Sequence, residues 1–167
     1  GNVVQGWGDP STQDISEFPR NAHGLFIDHE DNVWITGNGE RITPMRRGDD
    51  MVIKFTNQGQ FVMQIGRRSQ SQGNADTRNL RRPADLFVVP ETNEVFVADG
   101  YGNRRVIAFD AGTGAFKRMW GAFGNEPEDV PDTPTGGGAQ AAEVELDPEG
   151  PGDSQFGNRV HAVEVSD

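Results

Sequence analysis

The sequence predicts an all-β fold, a β-propeller of four-stranded antiparallel blades, and three observations point there. Glycine is abundant, 22 of 167 residues, while only 34% of the chain is hydrophobic, a balance that suits turn-rich sheets better than a helical bundle. Short runs of alternating apolar residues, rich in β-branched and aromatic types, recur between Gly/Asn turns. These runs also repeat as units. "QGWG" (5–8), "QIG" (64–66) and "MWG" (119–121) close three of them, with Gly8 to Gly66 spanning 58 residues and Gly66 to Gly121 spanning 55. Four strands per unit at that period is the pattern of propeller blades.

The elements follow in order. Residues 1–8, "GNVVQGWG", resemble the last strand of a preceding blade. The first complete blade covers 23–66. In it "LFID" (25–28) turns through "HEDN" into "VWIT" (33–36), a loop with three arginines leads to "MVIKF" (51–55), and "TNQG" opens "QFVMQIG" (60–66). Residues 67–82, "RRSQSQGNADTRNLRR", form a connection with five arginines, expected to be largely solvated. The second blade covers 83–121: "DLFVV" (85–89), "EVFVADG" (94–100), "RRVIAFD" (104–110) and "AFKRMWG" (115–121), joined by "PETN" and "AGTG" turns where the strands double back. Residues 125–155 hold five Pro and five Gly and cannot be one helix or strand. Residues 156–167, "FGNRVHAVEVSD", begin a further blade. The expectation is two full and two partial blades. A propeller closes with four or more, so the remaining blades are expected from sequence not present here. On its own such an incomplete set exposes sheet edges.

Charge and composition exclude several classes. The net charge of -11 is local: residues 125–155 carry nine of the 26 acidic side chains and no basic one, leaving 17 acidic against 15 basic elsewhere. Without a basic stripe nucleic acid is not an expected partner. No apolar stretch is long enough for a membrane-spanning helix. With no cysteine, disulfides and thiolate metal sites are excluded. Gly1 opens no basic, apolar leader, so either a leader has been removed or the chain is an excerpt.

Aligning the blade starts places His23, Ala84 and His161 at equivalent positions. Equivalent positions of a propeller converge on one axis, so two histidines 138 residues apart in sequence (161 less 23) can face each other across the channel. Neutral imidazoles are good zinc ligands, and a catalytic zinc site keeps three protein ligands and one open position. Two histidines fall one short, and each also reads as a polar residue bonded to channel backbone. Tyr101, in "ADGYGNRRV" (98–106), is a side chain that the blade pattern does not require. It accepts a proton only where a nearby cation lowers its high intrinsic pKa. Asp99 and Arg104 read as a structural pair. The carboxylates of "DHEDN" (28–32) lack calcium-loop spacing and read as a plain turn, which also takes His29. Trp7, Trp34 and Trp120 are expected to pack between blades.

The run "RPADLFVVPETNEVFVADGYGNRRVIAFD" (82–110) resembles an NHL repeat over a whole blade. "HGLFIDHEDNVWIT" (23–36), "ADGYGNRRV" (98–106) and "FGNRVHAVEV" (156–165) are similar to segments of the peptidyl-α-hydroxyglycine α-amidating lyases, six-bladed NHL-type propellers. The resemblance implies a zinc ion held by three histidines, with His23 and His161 at the places of two. It implies Tyr101 as the catalytic tyrosine and the Leu25 backbone carbonyl as a contact of a structural calcium. An arginine is implied for the substrate carboxylate, for which Arg67, Arg68, Arg81 and Arg82 are candidates by location. The chain departs from the family at Ala22 and Val160, where prolines precede the histidines, and at Gly102, where the family has cysteine.

Two functions follow as expectations. One is a metal-dependent lyase-like propeller acting on a carbinolamide, of small-molecule or peptide type, to give an amide and glyoxylate in a periplasmic or extracellular setting. The other is a non-catalytic NHL-repeat scaffold that binds a protein or ligand. Fold alone does not choose between them.

Overall fold

A computed structural model describes residues 1–8, 18–39, 48–129, 155–156 and 159–166. Residues 130–154, most of the acidic connection, and the three-arginine loop at 40–47 lie outside them. The described chain is all-β, with one short 3-10 turn at Ala122–Gly124. Strands β1 (Ala22–Ile27), β2 (Val33–Gly37), β3 (Met51–Phe55) and β4 (Phe61–Ile65) form one antiparallel sheet in sequential order. Strands β5 (Asp85–Val89), β6 (Glu94–Asp99), β7 (Arg105–Asp110) and β8 (Phe116–Trp120) form a second sheet the same way. These are two blade-like units, and they do not close into a ring.

The middle strands are apolar on both sides because both faces of each sheet are covered. Along β6, Val95 and Val97 face the first sheet, while Phe96 and Ala98 face the other way. β7 divides likewise, with Ile107 and Phe109 on one side and Val106 and Ala108 on the other, the period-2 consequence of strand geometry. Three apolar layers result. Between the sheets lie Trp34, Val52 and Ile65 of the first, Leu86, Val88, Val95, Val97, Ile107 and Phe109 of the second, and Leu80 from the connection. On the far side of the first sheet, Trp7 and Phe18 cover Ile35, Met51, Ile53 and Phe55. On the far side of the second, Val160, Phe156 and Val163 cover Phe96, Ala98, Val106 and Ala108 beside Trp120. The three tryptophans thus occupy three successive layers.

Residues 1–8 are expected as the last strand of a preceding blade and 156–167 as the start of a further one, of which 156 and 159–166 are described. The structure assigns no strand to either, although both lie against sheet faces. A strand needs a ladder partner, and none of the described residues pairs with them.

Two further expectations are corrected. Arg105, not Arg104, is the partner of Asp99: its Nε donates to Oδ2 at 2.9 Å, and both side chains are fully buried. The reason is register, since Asp99 and Arg105 are direct cross-strand neighbours on β6 and β7, whereas Arg104 precedes the ladder and contributes its N–H to Asn74 Oδ1. The connection 67–82 is not merely solvated. Arg105 donates to the carbonyls of Asn74, Asp76 and Asn79. Asp99 and Asp50 accept the backbone N–H of Arg81 and Arg82, 2.8 and 2.9 Å away, so the connection is tied down at its end. Burial raises the Asp50 pKa, outweighing the hydrogen bonds from Arg82 and Ser69.

The turn after β1 is structural, as its spacing suggested. Asp28 is buried and accepts the N–H of Glu30 and Asn32 and the Trp34 indole. Lys54 Nζ lies 3.4 Å from its carboxylate and 5.0 Å from the Trp34 ring centre.

Candidate functional site

His23, Tyr101 and His161 come together although 78 residues of sequence separate Tyr101 from His23 and 60 separate it from His161. His23 is placed by an irregularity in β1. The pairing register shifts between Ala22 and Leu25, so His23 and Gly24 stand off the regular ladder, and a bulge of this kind redirects a side chain. There is room for no other residue than glycine at 24: a Cβ would lie 2.7 Å from the Ala84 carbonyl oxygen. That same carbonyl lies 2.9 Å from His23 Nδ1 and accepts the Thr36 hydroxyl, itself bonded to the Gly24 N–H.

Tyr101 leaves the sheet after β6 between two glycines, and both are needed for space. A Cβ on Gly100 would meet the backbone of Val160, its oxygen at 2.0 Å, and one on Gly102 would meet Arg81, with Cγ at 2.3 Å. The tyrosine turn is therefore crossed closely by two other chain segments. One of them carries His161, one residue past the buried Val160.

The hydroxyl of Tyr101 stands 3.2 Å from His23 Nε2 and 3.0 Å from His161 Nε2. Proton bookkeeping orders these contacts. A carbonyl oxygen only accepts, so in the neutral His23 ring the proton is on Nδ1, facing Ala84, and Nε2 is a bare acceptor. The Tyr101 hydroxyl then donates to His23, and its oxygen accepts from Nε2–H of His161. The result is a directed chain from His161 through Tyr101 and His23 to the Ala84 carbonyl. The three rings meet edge to face, with centroids 5.1–5.5 Å apart.

Two guanidinium groups flank Tyr101. Arg82 Cζ is 5.5 Å from the ring centre and Arg159 Cζ is 4.9 Å from it. Arg82 Nε also donates to the Asn38 carbonyl, which steadies the side chain. The other arginines named from sequence make different contacts. Arg68 bonds to the Asp49 carboxylate and the Phe18 carbonyl. Arg81 packs its stem at Gly102, and Arg67 is exposed. Leu25 lies on β1 opposite Ile35 with its side chain exposed. Arg159 was not singled out as a site residue in sequence. Its one available signal was its place two residues before His161.

The imidazole donors suit zinc. Two Nε2 atoms converge on one point, and the second nitrogen of His23 is anchored by a backbone carbonyl, the arrangement that orients metal-bound histidines. Among the described residues no group of three or more His, Asp or Glu side chains gathers to hold a metal.

No family model matches the chain. Among known proteins it is similar to the peptidylglycine alpha-amidating monooxygenase of Rattus norvegicus, 31% identical over 103 residues, 59% of this chain and 9% of that protein. It is also similar to the peptidyl-glycine alpha-amidating monooxygenase A of Xenopus laevis, 31% identical over 100 residues, 59% of this chain and 9% of that protein. A third relative is the probable peptidyl-alpha-hydroxyglycine alpha-amidating lyase pgal-1 of Caenorhabditis elegans, 32% identical over 89 residues, 53% of this chain and 22% of that protein. The matched part is thus about a tenth of the two vertebrate proteins and about a fifth of the worm one. The resemblance read from the motifs stands on these relatives: over part of its length the chain is similar to enzymes named for peptide amidation, and its two blade-like sheets fit a partial, lyase-like propeller.

Proposed function

We propose that the chain is part of a lyase that cleaves a hydroxyglycine-type carbinolamide into an amide and glyoxylate. The observation that carries the reading is the Tyr101 hydroxyl within hydrogen-bond distance of two imidazole Nε2 atoms, beside two guanidinium groups. The name of the worm relative supports the substrate class. In the reaction Tyr101, as the phenolate, accepts the proton of the substrate hydroxyl and hands it to the departing amide nitrogen. The electron pair left on the substrate oxygen forms the carbonyl of glyoxylate as the C–N bond breaks. A general base of this kind contributes about 10²–10⁴-fold. His23 and His161 would hold a zinc ion, which when bound supplies positive charge that acidifies the hydroxyl. The Leu25 carbonyl, two residues along β1 from His23, is the proposed calcium contact. A periplasmic or extracellular setting and a peptide substrate belong to the same proposal.

The test is glyoxylate release from a peptidyl-hydroxyglycine by the protein and by Tyr101→Phe. We expect the variant to lose about 10²–10⁴-fold in turnover while keeping its fold. Unchanged turnover would remove Tyr101 from the chemistry. No glyoxylate from any form would leave a non-catalytic binding module. Zinc content measured in parallel should fall in both His23→Ala and His161→Ala; zinc unaffected by either change would overturn the metal assignment.

A further inference from the structure

Arg159 is exposed and pairs with no carboxylate among the described residues. Arg68, Arg105 and Arg118, by contrast, are each committed to an acid: Asp49, Asp99 and Glu94. The alternation along its segment explains where Arg159 points. Val160 is buried against the second sheet, while Arg159 and His161 on either side of it are exposed and both reach Tyr101. A guanidinium fork with no hydrogen-bond partner among the described residues therefore lies over the ring of Tyr101, 4.9 Å from its centre, and the hydroxyl of that ring meets the two imidazoles. Arg82 adds a second positive charge from the opposite connection. A planar fork matches a carboxylate by two parallel hydrogen bonds, which a lysine does not reproduce.

We propose that Arg159 is the anion-binding group of this site and that it takes a compact carboxylate, held beside the Tyr101 hydroxyl, with Arg82 in support. This rests on the lyase reading in one respect, that the carboxylate is the one shared by the hydroxyglycine substrate and glyoxylate.

The chain has one tyrosine, so protein labelled with [13C]tyrosine gives one ring signal that reports on this site alone. Oxamate, a compact unreactive carboxylate, is titrated in, with neutral acetamide as the control. We expect a saturable shift with oxamate and none with acetamide. Arg159→Gln should weaken oxamate about tenfold or more, Arg159→Lys less, and Arg82→Gln less than Arg159→Gln. Wild-type oxamate affinity in a folded Arg159→Gln protein overturns the proposal, even if its tyrosine signal starts from a new position, because that pattern belongs to packing alone. Equal responses to oxamate and acetamide overturn it too, as does a larger loss in Arg82→Gln. Saturable, Arg159-dependent oxamate binding in a protein that releases no glyoxylate would uphold the anion site and remove the lyase reading. Turnover unaffected by Arg159→Gln would do the reverse.

Discussion

Gly100 holds the site together through the absence of a side chain. The backbone of Val160 passes so close that its oxygen would lie 2.0 Å from a Cβ, and the next residue is His161. Backbone cannot yield as a flexible side chain can, so Gly100→Ala must push the 159–163 segment outward and part His161 from Tyr101. We expect a loss of about 1–3 kcal/mol in stability and a displaced tyrosine signal. Gly112→Ala is the matched control, since its Cβ would meet nothing nearer than 3.5 Å, and should stay within about 0.5 kcal/mol of the parent by denaturant unfolding. Equal effects of the two changes would show that the crossing is not tight. The meeting of His23 and His161 was legible in the sequence, because both stand at repeat positions, and Tyr101 stood out as superfluous to its turn. Arg159 was not legible. It stands where Arg82 stands in the blade before, two residues ahead of the aligned position, but the blade pattern gave no reason to expect either arginine at Tyr101.

At the scale of the element, the buried Asp99–Arg105 pair joins β6 to β7 and also gathers the connection 67–82, since Arg105 reaches three of its carbonyls. Sequence pointed to an Asp–Arg pair but not to the right arginine. Adjacent arginines on an extended chain face opposite ways, and only the register shows which one turns inward. Arg105→Leu leaves Asp99 buried without its cation and should cost about 3–5 kcal/mol, whereas Arg104→Ala should stay within about 0.5 kcal/mol. Similar losses in the two, by urea unfolding, would restore Arg104 to the structural role. The β1–β2 turn carries a pH signature. Burial acts to raise the Asp28 pKa, but hydrogen bonds from Trp34, Asn32 and Glu30 outweigh it and hold the carboxyl below its ordinary 3.8. A carboxyl held low in the folded state stabilises the protein fully above its unfolded pKa, and that contribution is lost as pH falls through the lowered folded value. Asp28→Asn should therefore flatten the acid limb of the stability profile and lower stability at neutral pH. An acid limb as steep as the parent's would place the titration elsewhere.

The whole molecule is a stack of layers, and that order explains which strands could be read and which could not. Strands β2, β3, β6 and β7 lie between covered faces, so their near-continuous apolar runs announce them. The segments 1–8 and 159–166 carry similar residues but have no ladder partner among the described residues, which no residue pattern within them can supply. The layer between the two sheets is the one both share, with eleven buried residues drawn from both sheets and from the connection. Trp34 is its largest fully buried member, and its indole is fixed to Asp28. Because neither sheet buries that face without the other, the two should unfold as one unit. Trp34→Ala opens a cavity in the common layer and should cost about 3–5 kcal/mol. The loss should appear as one earlier transition followed equally by tryptophan fluorescence, which retains Trp120 on the second sheet, and by the Tyr101 ring signal. If Trp34→Ala instead splits unfolding into two steps, with the Tyr101 signal unmoved in the first, the sheets are independent and the inter-sheet layer does not couple them.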